Sequence, residues 1–221
     1  MSEVTWAVVV AAGSGRRFGA AKQYERLAGR RVLDWSLDAA RGRGDEARAG
    51  VVLVVAPELR VASEPSADLV VAGGATRSAS VRAGLAALPA DATLVVVHDA
   101  ARPVPVPGVW RRVLGALTQG ADAAVPVVAV ADTLRELSGI TVDRDRFVAV
   151  QTPQGFRADL LRRAHAGEPE GSDDASLIDA IGARVVLVDG DPANIKVTTP
   201  VDLLLADLLL AERRHAERPR R

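Results

Sequence analysis

Valine-rich apolar runs recur along the chain at residues 6–10, 50–55, 69–72, 94–97, 123–128, 147–150 and 185–188, several without an intervening polar position. Strands with one wet face alternate apolar and polar residues; continuous runs suit strands covered on both faces. Between them lie segments with helical spacing of apolar residues, at 32–40, 80–88, 109–117, 159–164 and 201–210. The resulting β-α-β-α order predicts an α/β fold with a mostly parallel sheet between two helical layers.

Local signals refine this outline. The final helix has a readable start, with Thr199 to cap it and Pro200 at its first position, while Arg213, Arg214 and His215 suit its negative end. Ser172 reads most simply as another helix cap. Residues 131–150 break the alternating pattern. There, strand-like runs flank a polar turn at Ser138-Gly139, with charges from Asp143 to Arg146, as in an extended hairpin leaving the main body. The 221 residues fit one domain, and residues 215–221 are expected to be disordered.

Composition narrows the chemistry. Hydrophobic residues make up 48% and charged residues 25%, and 28 basic residues balance 28 acidic ones, which argues against both disorder and a nucleic-acid-binding surface. With no cysteine and three scattered histidines, a thiolate or zinc cluster is excluded, so any metal would take oxygen ligands. The amino end enters a strand without a signal core, and the apolar stretch 203–210 contains Asp207 and is too short to span a bilayer. A soluble, cytoplasmic protein without a membrane or nucleic-acid partner is the expectation.

The first candidate site follows the first strand. Ala11, Ala12, Gly13, Ser14 and Gly15 carry almost no side chain, so their backbone N–H groups can approach phosphate oxygens, and Arg17 and Lys22 add full positive charges. Glycines at 13, 15 and 19 miss the third glycine of the dinucleotide fingerprint, and no Gly-Lys-Ser/Thr follows to make a Walker loop. The bland alternative is a strand-to-helix turn with solvated arginines.

A second signal is the strand that ends in His98-Asp99-Ala-Ala-Arg102-Pro103. Open α/β sheets bind ligands at the carboxyl ends of their strands, and Asp99 there could hold Mg²⁺, a hard ion content with one carboxylate plus substrate phosphates. The alternative is a local Asp99–Arg102 ion pair. In Gly73-Gly74-Ala75-Thr76-Arg77-Ser78-Ala79-Ser80, backbone carbonyls and the Ser80 hydroxyl could read a pyrimidine edge, while Thr76 and Ser78 are equally good helix caps. Lys196, between Ile195 and Val197, needs an anionic partner in an apolar stretch.

Taken in order, A-A-G-S-G-R-R, K-Q-Y, G-G-x-x-R-x-x-S-V, H-D-A-A-R-P, the D-T and V-D-R pair, T-P-Q, S-D-D-A-S and N-I-K-V-T closely resemble the 2-C-methyl-D-erythritol 4-phosphate cytidylyltransferases, from residue 6 to about 210. The resemblance implies a Rossmann-like three-layer sandwich of nucleotidyltransferase type with a protruding β-arm. It also implies Mg²⁺-dependent attack of methylerythritol 4-phosphate on CTP, with pyrophosphate leaving, in non-mevalonate isoprenoid biosynthesis. By this similarity the 11–15 loop and Lys22 hold the triphosphate, and Gly74, Ala75 and Ser80 hold the cytosine. Asp99 lies beside Mg²⁺, and Arg17 and Lys22 stabilise the transition state. Arg144 and Lys196 position the attacking phosphate, with Thr133, Thr152 and Arg102 around the same substrate. The arm would swap contacts across a homodimer. Ala75 stands where an acidic residue is common in the family.

Three rivals remain at this point: a cytidylyltransferase for another polyol phosphate such as ribitol 5-phosphate, a non-catalytic nucleotide-binding regulator, and a dinucleotide-dependent dehydrogenase. A single activity is expected of the chain.

Overall fold

The computed structural model describes residues 3–13, 15, 17–44, 47–59 and 64–216. Ser14, counted above among the cradle residues, and the tail 217–221 lie outside the described residues.

The chain begins with β1 (Thr5–Ala11), a two-residue hairpin of β2 (Arg26–Leu27) and β3 (Arg30–Arg31), and α1 (Val32–Arg41). Next come β4 (Gly50–Val55), β5 (Leu69–Ala72), α2 (Arg77–Ala86), β6 (Leu94–Asp99), α3 (Pro107–Thr118) and β7 (Ala123–Ala129). After the excursion come β8 (Val148–Val150), β9 (Gln154–Arg157), α4 (Ala158–Ala164), α5 (Asp174–Ala180), β10 (Val185–Asp189) and α6 (Pro200–Ala216). The central sheet runs β10-β7-β9-β6-β1-β4-β5, with β8 paired to β7.

β1 is parallel to both β4 and β6, and β4 to β5, as the apolar runs predict. Along β1, Ala7, Val9 and Ala11 face one layer with Leu33, Leu37, Trp110 and Val113, while Val8 faces the other with Val81, Phe156 and Leu161. Both faces are thus dry, which explains the missing alternation. A smaller cluster, centred on Leu27, Val32, Val197 and Leu210, fastens α6 over the β2–β3 hairpin.

Four elements escaped the sequence pattern. β9 is antiparallel to both β6 and β7, and its Gln154 and Gly155 disguise it as loop. Gly155 is there because a Cβ would stand 2.6 Å from Val113 Cγ1 and 2.8 Å from Leu117 Cδ1, so only glycine lets α3 lie this close. α5 is short and polar at its start, and its cap is Asp173, which accepts the Ser176 N–H at 3.0 Å; Ser172, expected to cap it, does not. β2 and β3 are too short to carry a period. α2 begins three residues before the expected 80, because Thr76 caps it by accepting the Ala79 N–H.

The expected hairpin at 131–150 takes the form of an Arg135–Thr141 bridge, with the Val142 N–H donating to Leu134 O, followed by β8. The helix expected at 201–210 continues to Ala216, so residues 215 and 216 are helical and not part of a loose tail. No described helix is long and apolar enough to cross a membrane.

Candidate active site

The strand order reverses around β1, where β4 lies on one side and β6 on the other; such a switch point opens a crevice at the carboxyl ends of the strands. Register sets its floor. Val10 pairs with Asp99, so the small-residue loop after Ala11 and the Asp99 carboxylate emerge at one level.

The crevice is a cleft of about 490 Å³ that gathers Gly13, Arg17, Lys22, Gly74, Asp99 and Lys196 from distant stretches of chain. Ala11, Ala12, Gly15, Ala75, Arg77 and Ser80 also face it. Gly15 turns the loop. Its φ is +63°, its carbonyl accepts the N–H groups of Phe18 and Gly19 at 2.8 and 2.9 Å, and a Cβ there would stand 1.8 Å from Ala20 O. Only glycine fits that approach. Gln23 completes the loop by donating to Ala11 O at 2.9 Å.

Lys22 and Lys196 are brought together by the segment after Asn194. The fully buried Asn194 side chain donates to Gln151 Oε1 and Thr152 O, and the Val197 N–H donates to Ala101 O at 2.8 Å. Lys22 then donates to Val197 O at 2.6 Å, while Lys196 pairs with Asp99 Oδ2 at 2.6 Å. Burial, then the neighbouring charges of Lys196 and Arg17, lower the pKa of Lys22. A polyphosphate would relieve that repulsion.

Asp99 is 7% exposed. Burial pushes its carboxyl pKa up, but Arg77 and Lys196 outweigh it and hold the group well below the usual carboxylate range. It does not pair with Arg102. That guanidinium donates to Asn194 O at 2.6 Å and to Val150 O at 3.4 Å, tying the lysine-bearing segment to β8. Asp99 instead meets Lys196 and, at 3.4 Å, Arg77, a residue to which the sequence alone assigns no role. Its signal was the Arg inside G-G-x-x-R, one position beyond a good helix cap.

Among the other expected site residues, Ser80 is 2% exposed and its hydroxyl serves the loop, donating to Thr76 O at 2.9 Å and accepting the Gly74 N–H at 3.2 Å. It shapes the Gly74-Ala75 wall through those bonds. Thr152 lies behind the cleft, 4% exposed, where its hydroxyl accepts the Asp99 N–H at 3.0 Å and sits 3.2 Å from His98 Nδ1. Thr133 and Arg144 belong to the exposed excursion, Arg144 donating to Ala131 O at 2.5 Å; neither lines this cleft.

No group of three or more candidate metal ligands exists among the described residues. Asp99 nevertheless suits a hard cation as a single ligand. It is ionised, it faces the cleft, and its two oxygens offer more acceptor positions than Lys196 and Arg77 use.

Known proteins resemble this chain along nearly its whole length. The family description for 2-C-methyl-D-erythritol 4-phosphate cytidylyltransferase matches residues 5–212. The enzyme of that name from Nocardia farcinica is 43% identical over 94% of this chain and 94% of its own. That from Rhodococcus opacus is 42% identical over 95% and 96%. A crystal structure of the Thermus thermophilus enzyme superposes with a TM-score of 0.80 at 39% identity, covering 92% of this chain and 98% of the other. The phosphate-approachable loop, paired lysines and ionised aspartate therefore sit in a chain that belongs to the 2-C-methyl-D-erythritol 4-phosphate cytidylyltransferase family.

Proposed function

We propose that the cleft transfers the cytidylyl group of CTP to 2-C-methyl-D-erythritol 4-phosphate, releasing pyrophosphate and giving 4-diphosphocytidyl-2-C-methyl-D-erythritol for isoprenoid synthesis. Family membership supports the reaction. The observation that carries the residue assignment is the convergence of Arg17, Lys22, Lys196 and Asp99 on one cleft.

A phosphate monoester, with a second pKa near 6, is already ionised at neutral pH, so its attack at the α-phosphorus needs no strong general base. The work is to hold two anions in line and offset the charge that develops between them. On this reading the 11–15 loop seats the triphosphate, and Arg17 and Lys22 meet the charge that grows on the leaving pyrophosphate and the equatorial oxygens. Gly74 and Ala75 present backbone groups to the cytosine, with Ser80 fixing their loop. Lys196, 41% exposed at its side chain, is free enough to exchange Asp99 for the incoming phosphate. Asp99 would hold Mg²⁺, which supplies further neutralisation of the triphosphate when bound.

Thr133 and Arg144 stand outside the cleft of their own chain, and the reading assigns them to a neighbour's acceptor pocket across a homodimer. Exposed Leu137, Ile140 and Phe147 on the same excursion support it, since apolar side chains grouped in the open mark interaction sites. Arg102 and Thr152 act from behind, by fixing β8 and the Asp99 backbone. A cytoplasmic setting, where CTP is made, belongs to the same reading.

Pyrophosphate release with CTP tests it, comparing methylerythritol 4-phosphate with ribitol 5-phosphate. Preferred turnover of the first is expected. Exclusive turnover of ribitol 5-phosphate would overturn the acceptor, and CTP binding without release would overturn catalysis.

A further inference from the structure

Arg77 is shared unequally between two carboxylates. Its Nη1 donates to Asp174 Oδ2 at 2.7 Å, while its Nε reaches Asp99 Oδ1 only at 3.4 Å. Asp174 is fully buried at the start of α5, and its other oxygen meets His165 Nε2 at 3.0 Å. The transfer chemistry above uses neither Asp174 nor His165. The chain nevertheless lays 169–174 along α2 to deliver this carboxylate: Arg82 donates to Pro169 O at 2.8 Å, and the Gly171 N–H donates to Ser78 Oγ at 3.2 Å.

A guanidinium is a rigid planar fork, so the partner it bonds at full strength sets its orientation. At 2.7 Å the Asp174 contact is a strong charge-assisted bond; at 3.4 Å the Asp99 contact is past the usual range. Asp99 already gives one oxygen to Lys196. Were Arg77 to close on the other, both oxygens would face cations at bonding distance, and an arriving divalent ion would meet two positive charges where it now meets one.

We propose that Asp174, itself held by His165, is a positioning residue that draws Arg77 away from Asp99 and keeps a carboxylate oxygen open for the divalent cation that enters with CTP. The inference rests on the reading of Asp99 as that cation's ligand.

Mn²⁺ is the probe, its free fraction read by electron paramagnetic resonance with protein and CTP present and no acceptor. In Asp174→Asn, Arg77 loses its closer anion and turns to Asp99, and the Mn²⁺ dissociation constant is expected to rise roughly tenfold. Adding Arg77→Met removes the competitor, and the double variant is expected to return to within about twofold of wild type. In turnover, Asp174→Asn should need more metal for half-saturation yet regain wild-type kcat at saturating Mn²⁺, which a merely structural defect would not do. Unchanged Mn²⁺ binding in Asp174→Asn, or a double variant as weak as the single, overturns the proposal. Should Asp174→Asn fail to fold, the double variant decides alone: wild-type binding supports the proposal and tenfold weakening overturns it. Failure of the wild type itself to take up Mn²⁺ with CTP would instead overturn the reading of Asp99, and this inference with it.

Discussion

Lys22 and Lys196, the only two lysines in the chain, meet in one cleft: the ammonium of Lys22 bonds Val197 O at 2.6 Å, the carbonyl next to the residue whose own ammonium pairs with Asp99. Everywhere else the chain uses arginine for positive charge. A compact ammonium on a flexible stem can follow a phosphate through a reaction, whereas a planar fork binds one geometry. The two charges also repel, and that cost is relieved when an anion lies between them.

Lys22→Ala should lower kcat at saturating CTP by on the order of a hundredfold or more, the scale for losing one donor to transition-state charge. Lys22→Arg should recover little of it, since a larger planar guanidinium would have to replace a compact ammonium in a half-buried position. Pyrophosphate release measures both, and wild-type turnover in Lys22→Ala would remove Lys22 from catalysis.

Gly15→Ala asks whether the loop's shape matters apart from its charges. A side chain at φ +63° that meets Ala20 O forces the turn open at a cost of about 1–3 kcal/mol. The expected result is a CTP KM raised roughly tenfold, with thermal unfolding lowered by about 2–12 °C. An unchanged KM would mean that the loop does not seat the triphosphate.

Much of this was legible in the chain because burial on two faces writes itself as unbroken valine runs, as in β1, β4 and β6. Strand ends then pointed to Asp99, and small residues pointed to the 11–15 loop. What escaped depended on tertiary partners. Gly155 is glycine for the sake of Leu117, Thr152 serves the Asp99 backbone from 53 residues away, and Arg77 has meaning only beside Asp174, 97 residues on. None of these leaves a local period. Arg102 misled for the same reason: its nearest acid in sequence is Asp99, yet its partners are the carbonyls of Asn194 and Val150.

His98 ties stability to pH. Its ring is 1% exposed, between Thr152 Oγ1 and Arg102 O, and burial pushes its pKa from 6.5 down to about 4. The unfolded chain takes up the proton first as pH falls, so stability is whole above about pH 6.5 and drains away toward pH 4, by about 3 kcal/mol across the window. Asp99, held low as well, adds its loss only below the ordinary carboxylate range. Urea unfolding at pH 7.5, 5.5 and 4.5 should show this slope in wild type and a flatter one in His98→Asn. Equal slopes would assign the acid sensitivity elsewhere.

The excursion between β7 and β8 offers the last test. Leu137 is fully exposed, Ile140 is 61% and Phe147 48% exposed, and the same stretch carries Arg144 and Thr133, which have no place in their own cleft. If a second copy covers these apolar groups, the two sets of residues serve one purpose: the contact that shields Leu137 and Ile140 also delivers Arg144 to the neighbour's acceptor. Leu137→Asp with Ile140→Asp should then convert a dimer to a monomer in sedimentation velocity. The KM for methylerythritol 4-phosphate should rise at least tenfold, because an acceptor cation is lost, while CTP affinity stays within about twofold. A wild type that sediments as a monomer at full activity would separate the arm from catalysis and leave Arg144 without a role in positioning the acceptor.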